Sequence, residues 1–107
     1  MLYIIQDLGS ALPSAAGRTW LVKVGVSVNP AQRLRQLQTG NPHELKLAFE
    51  CRCPEGLDYK AEAVVHQHLR AQHVRLEWFR LTEDEIVTVA ATLAQFEGNL
   101  NGPERNK

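Results

Sequence analysis

Five residues carry side chains whose types and placement suit phosphate chemistry: Tyr3, Lys23, Arg33, Glu62 and His66. A guanidinium such as that of Arg33 is planar and permanently charged, which matches a phosphate that gains negative charge during reaction. An unperturbed phenol titrates near ~10, so Tyr3 needs a neighbouring cation to act near neutrality. If the first two strands pair, Lys23 is that cation. Glu62 and His66 lie four residues apart and would be neighbours on a helix. Each residue also has an ordinary structural reading. Tyr3 would be a core tyrosine with its hydroxyl at the rim, Lys23 a snorkelling lysine and Arg33 a solvated helix arginine. Glu62 would be an edge glutamate paired with Arg33 or Lys23, and His66 a buried, hydrogen-bonded structural histidine.

The elements that would position these groups follow from periodicity. Residues 2–6 read as a strand, because Leu2-Tyr3-Ile4-Ile5 is apolar and β-prone. The small and turn-forming residues from Gly9 to Gly17 read as a flexible loop. Residues 19–26 alternate, with Trp20, Val22, Val24 and Val26 on one face and Leu21, Lys23 and Gly25 on the other. Asn29-Pro30 opens a helix that Gly40 stops, with Leu34 and Leu37 as its apolar side. Residues 45–53 alternate again, placing Leu45, Leu47, Phe49, Cys51 and Cys53 on one face. Pro54-Glu55-Gly56 breaks that strand.

A second helix spans about 58–71, with Ala61, Val64, Val65 and Leu69 as its buried stripe. Residues 76–81 read as a short strand in which Trp78 and Phe79 pack and Glu77 caps the site. Thr82 and Glu85 form a capping box for a third helix with the stripe Ile86, Val89, Ala90, Leu93 and Phe96, ended by Gly98. Residues 99–107 read as a flexible C-terminal tail. The expected order is β-β-α-β-α-(short β)-α. This is an α/β (α+β) domain over 1–98, with a small, mainly antiparallel three-stranded sheet flanked by helices.

These motifs resemble the GIY-YIG nuclease superfamily. Met1-Leu2-Tyr3-Ile4-Ile5 is similar to its G-I-Y motif, and Val22-Lys23-Val24-Gly25-Val26-Ser27 to its Y-I-G motif. Asn29 to Leu37 resembles the helix of the family arginine, and Ala61 to His66 the helix of the family glutamate. The resemblance is strongest to a branch of small, often phage-encoded domains. Those have K-I-G as second motif, then a threonine-glycine-asparagine/serine-proline stretch and an E-W-F segment. Here these are Lys23-Val24-Gly25, Thr39-Gly40-Asn41-Pro42 and Glu77-Trp78-Phe79, and the likeness covers roughly residues 1–85.

The resemblance implies a metal-dependent endonuclease that hydrolyses or nicks phosphodiesters, with DNA as substrate. Tyr3 would help deprotonate the attacking water. Arg33 would contact the scissile phosphate, with Lys23 stabilising charge. Glu62 would hold Mg2+ (or Mn2+), and His66 would orient Glu62 or touch a phosphate. Lys23 stands where the superfamily usually has tyrosine, and a protonated lysine cannot shuttle a proton as a phenol does. A rival therefore stays open: a catalytically inactive module that binds DNA or a protein partner, or a phage or prophage accessory protein acting on a host factor.

Charge is divided along the chain. The 107 residues carry 12 Lys+Arg and 12 Asp+Glu, a formal net charge of zero. Residues 1–53 hold six cations against three anions, and the remainder six against nine. A basic first half suits a polyanion, whereas zero net charge means that affinity would need help from dimerisation or a partner. Cys51 and Cys53, spaced C-x-C, read as two apolar thiols of a core and not as a zinc site or disulfide framework. No apolar run reaches membrane-span length, and the N-terminus lacks the basic region of a signal peptide. The expected location is the cytoplasm, with no membrane partner.

Overall fold

In a computed structural model, which describes residues 1–53 and 56–105 with side chains up to residue 95, the chain forms one five-stranded sheet with helices on both faces. The strands are β1 (Leu2–Leu12), β2 (Thr19–Val26), β3 (Leu45–Cys51), β4 (His73–Arg75) and β5 (Trp78–Thr82). The helices are α1 (Pro30–Gln38), α2 (Leu57–His68) and α3 (Glu83–Arg105), and a 3-10 turn at Arg70–Gln72 follows α2. The spatial order is β3-β1-β2-β5-β4, and every neighbouring pair is antiparallel. The expectation of three strands is therefore corrected to five. The segment after α2 makes a β4–β5 hairpin, and β5 joins the sheet along β2.

The first strand is also longer than expected. Its register with β2 shifts between Asp7 and Leu12, and Ser10 makes that irregularity tolerable. The Ser10 hydroxyl donates to the Asp7 carbonyl and accepts from the Leu21 amide, both at 2.7 Å. A side chain thus replaces ladder bonds that the bulge interrupts. Gly17, at φ 117°, sits in the turn that returns the chain to β2.

A second bulge corrects the reading of 45–53 as one unbroken alternation. Ile4 pairs with Phe49, but Ile5 pairs with Leu47, so Ala48 is an extra residue in β3. One inserted residue exchanges the faces of everything beyond it. Leu45 and Leu47 consequently pack with Tyr3 and Ile5. Phe49, Cys51 and Cys53 pack on the opposite side with Leu2 and Ile4.

The larger core lies on that opposite side. Leu2, Ile4, Val22, Val24, Phe79 and Leu81 of the sheet meet Ala61, Val65 and Leu69 of the α2 segment and Ile86, Val89 and Leu93 of α3. Val64, expected in the α2 stripe, points outward instead and is exposed. The capping box at α3 is present in both halves. The Thr82 amide donates to Glu85 Oε1 at 2.8 Å, and the Glu85 amide donates to Thr82 Oγ1 at 3.2 Å. The backbone of α3 continues through Gly98 to Arg105, so Gly98 does not end it. The expected packing of Phe96 and the break at Pro54-Glu55 fall outside what the structure describes. No helix among the described residues is long and apolar enough to cross a membrane.

On the other face, α1 alone covers the sheet. Asn29 caps it by accepting from the Gln32 amide at 3.1 Å, and Pro30 occupies the first turn. Leu34 and Leu37 rest on Tyr3, Ile5 and Leu45.

Candidate functional site

The polar groups gather where β5 stops short along β2. The β2–β5 register ends at Lys23 opposite Trp78, leaving the Val24-Gly25-Val26 end of β2 without a strand partner on that side. Three contacts fill the notch. The Val24 amide donates to the Glu77 carbonyl at 3.3 Å. His66 Nε2 lies 3.0 Å from the Val24 carbonyl, and because a carbonyl only accepts, this nitrogen carries the hydrogen. The Lys23 ammonium donates to Glu77 Oε1 at 2.6 Å.

Gly25 makes room for Tyr3 in this notch. The two residues are cross-strand partners. A Cβ on Gly25 would fall 2.6 Å from the Tyr3 hydroxyl, 2.8 Å from its ring and 3.2 Å from Glu77 Oε1. The phenol and the Glu77 carboxylate both reach the space that a side chain would fill, which is why glycine stands there.

Lys23 is buried, its side chain only 8% exposed, whereas that of Glu77 is 41% exposed. A buried ammonium needs a partner, and Glu77 supplies it. The Lys23 nitrogen also lies 6.0 Å from the centre of the Trp78 ring, at the outer edge of a cation–π contact.

Glu62 reaches the notch from α2 and shares a hydrogen bond with Glu77. Burial, then the charge of Glu77, pushes the Glu62 carboxyl above the usual glutamate range, against the pull of His66 and Lys23. Burial would raise Glu77 as well. The hydrogen bond and charge of Lys23, together with the Glu62 hydrogen bond and the charge of His66, outweigh burial and hold Glu77 below that range. The two neighbouring carboxyl groups are thus pushed in opposite directions, Glu62 up and Glu77 down. His66 is braced by the Val24 carbonyl and by Phe79, whose ring it meets edge-on at 4.9 Å.

Tyr3 and Glu77 thus flank Gly25, Lys23 and Glu62 both meet Glu77, and His66 holds the adjoining Val24 carbonyl. Arg33 does not join these contacts. It projects from α1, the helix covering Tyr3, and its guanidinium only approaches Gln36 Oε1, at 3.5 Å. Among the described residues it forms no ion pair, which leaves its charge available to a ligand.

Glu77 is the central residue that the sequence reading treated as peripheral. It lies in the β4–β5 turn, and the turn escaped notice because Leu76, not glycine or asparagine, takes the left-handed conformation there at φ 52°. A second polar pair was also missed. His43 Nδ1 lies 3.0 Å from Asp7 Oδ1, and the imidazole occupies the space where Gly9 lacks a Cβ. The Gly9 glycine was the available signal.

The arrangement spans β1 to β5, and a model of the T5orf172 domain matches residues 1–94, the same stretch. The chain belongs to the T5orf172 domain family. This is a phage-associated domain related to nuclease-like folds. The T5orf172 match contains every residue of the notch and the whole sheet. No curated protein and no solved structure matches the chain.

Proposed function

We propose that this T5orf172 domain is a metal-dependent endonuclease-like domain of the GIY-YIG type that hydrolyses or nicks nucleic-acid phosphodiesters, with DNA as substrate. The observation that supports this reading is the gathering of a phenol, an ammonium and two neighbouring carboxyl groups at the Gly25 notch. Such a set provides both charge stabilisation and proton transfer to a phosphate.

The donor set fits a hard divalent ion. Mg2+ keeps several waters and binds through one or two carboxylates together with substrate phosphate oxygens. Glu62 would hold it, with Glu77 as second carboxylate. The charge of Glu77 that helps raise Glu62 is a repulsion that a bound cation would relieve. Bound there, Mg2+ or Mn2+ supplies Lewis acidity and stabilises the leaving oxygen.

The chain's own residues have distinct tasks in this proposal. Tyr3 helps deprotonate the attacking water, as base or as relay to a neighbouring base. Lys23, buried and paired with Glu77, faces a phosphate oxygen. Arg33 reaches from α1 to compensate the charge that develops on the phosphate. His66 holds Val24 and the adjoining carboxylates in place and adds charge to their surroundings.

A second reading, binding without cutting, is favoured by one feature: the Lys23 charge is already taken up by Glu77 at 2.6 Å. Supercoiled plasmid incubated with Mg2+ or Mn2+ separates the two. The endonuclease reading expects nicking that disappears in Glu62→Ala and Arg33→Ala while both variants stay folded. A folded wild type that binds DNA or RNA but never cuts either establishes the second reading.

A further inference from the structure

Beside the notch, on the Tyr3 and Lys23 face, lies a hollow of roughly 350 Å³ lined by Asp7, Leu21, Asn41, Val74, Arg75 and Trp78. That volume is at the lower end of the range of small-ligand sites. We propose that it receives one unpaired nucleobase of a single-stranded segment next to the phosphate bound at the notch, an extension that rests on the nucleic-acid reading above.

Trp78 links the two places. It is the cross-strand partner of Lys23 and packs against the Tyr3, Ile5 and Leu45 cluster. Being only half-buried, it also presents ring surface to the hollow. Leu21 and Val74 add apolar wall. Leu21 and Lys23 are two residues apart on one strand face, about 7 Å along the strand, so the nucleotide flanking that phosphate is within reach.

Charge decides what enters. Asp7 is buried, and its carboxylate is held by the Gly9 amide at 3.0 Å and by His43 at 3.0 and 3.2 Å. A fixed carboxylate repels a phosphate and accepts from the amino or ring N–H edge of a base. Asn41 adds a second polar group at the same end of the hollow. Arg75 is exposed on β4, the cross-strand partner of Trp78, and is placed to meet the backbone phosphate of the inserted nucleotide. An aromatic platform beside a cation, with a polar end for the base edge, is the chemistry that holds single-stranded nucleic acid.

The test uses the full chain carrying Glu62→Gln, so that strands stay intact, and measures anisotropy of a labelled oligo-dC 12-mer and of a 12-base-pair duplex. Trp78→Leu in this background should weaken single-strand binding about 10-fold or more, Trp78→Phe no more than about threefold, and duplex binding should change less in both. Arg75→Gln, on an exposed strand, should lower the slope of log affinity against log salt by about 0.7 for the single strand. Three results overturn the proposal: no single-strand binding by the parent, equal loss for single strand and duplex in Trp78→Leu, or an unchanged salt slope in Arg75→Gln. If wild type fails to nick plasmid while these single-strand effects persist, the cleavage reading fails and the base hollow stands.

Discussion

The two faces of the sheet are built from the same strands and differ in almost every other respect. On the α2–α3 face, Leu2, Ile4, Val22, Leu81 and Leu93 are fully enclosed, and the buried cluster is entirely apolar. On the α1 face, one nine-residue helix covers part of the sheet, and the buried cluster is limited to Tyr3, Ile5 and Leu45. Beside it lie Lys23 and Asp7, both buried, Lys23 paired with Glu77 and Asp7 held by the Gly9 amide and His43. Strand alternation makes this division possible. Val22 and Val24 anchor β2 to one core, while Lys23 and Gly25, which alternate with them, line the notch from the other face. Stability is concentrated on one face, and the chemical groups gather at the open end of β2, where Lys23 and Tyr3 of the α1 face meet Glu62 and His66 of α2 through Glu77 and Val24.

The largest effect should come from the apolar face. Phe79 is 1% exposed and touches both His66 and His73 edge-on. Phe79→Ala should cost about 3–5 kcal/mol of folding free energy, read as a fall in the urea midpoint. Leu37→Ala removes a half-buried residue from the other face and should cost only about 1 kcal/mol. Equal losses would mean that the α1 face contributes as much to stability as the α2–α3 face.

The Lys23–Glu77 pair should show an asymmetry that no apolar pair can. Glu77→Ala leaves an ammonium buried without a partner and should destabilise by about 2 kcal/mol. The exposure of Glu77 keeps the figure below that for a fully enclosed pair. Lys23→Met fills the same space with apolar atoms and releases a carboxylate that water can reach, so its cost should stay under about 1 kcal/mol. Urea denaturation of the two variants and of the double variant checks this. A Lys23→Met loss larger than that of Glu77→Ala would show the pair to be a source of stability and not a constraint of the site.

Much of the apolar face can be read in the sequence, because alternation and helical periodicity report burial directly. The α3 capping box and the Ala61–Val65–Leu69 stripe are local patterns of that kind. The corrections arise where a long-range event overrides a local one. Ala48 looks like any other residue of an alternating strand, and only pairing with β1 makes it a bulge. Ser10 looks like a loop residue until its hydroxyl takes over ladder bonds from Asp7 and Leu21. Leu76 has no turn signature, so the β4–β5 hairpin and the position of Glu77 were hidden together. The motif residues Tyr3, Lys23 and Glu62 could be named from the sequence, but their relation to Glu77 depends on where β5 stops.

Glycine substitutions give a smaller contrast within the α1 face. Gly25→Ala would place a methyl group against Tyr3, which is 1% exposed and has little room to move. A cost of about 1–2 kcal/mol should accompany loss of nicking, because the displaced atom is the phenolic oxygen. Gly9→Ala also meets a ring, that of His43, and its Cβ as well, at 2.5 to 2.8 Å, so the chain carrying His43 must shift and its contact with Asp7 is disturbed. Its cost should be of similar size, about 1–2 kcal/mol, but with nicking retained, because no group of the notch is displaced. Thermal melts and the plasmid assay on both variants give the comparison. A Gly25→Ala protein that nicks normally would remove Tyr3 from the proposed mechanism.

The smallest effect separates the faces by the shape of a curve instead of its height. The Glu62 carboxyl is held above the usual glutamate value, so between that value and its own the native state binds the extra proton. Its contribution to stability is therefore lost as pH rises through this window. Glu77 is held below the usual value, so its contribution is complete above that value and is lost as pH falls through its depressed one. The denaturation midpoint should climb from the acid side, peak near the ordinary glutamate range and then decline. Glu62→Gln keeps a donor for Glu77, so it should retain the acid limb and abolish the decline. Glu77→Gln should abolish the acid limb and shrink the decline too, since it removes the charge that helps raise Glu62. Leu93→Ala, on the apolar face, should lower the whole curve without changing its form. A decline that survives Glu62→Gln would place the titrating group outside the notch.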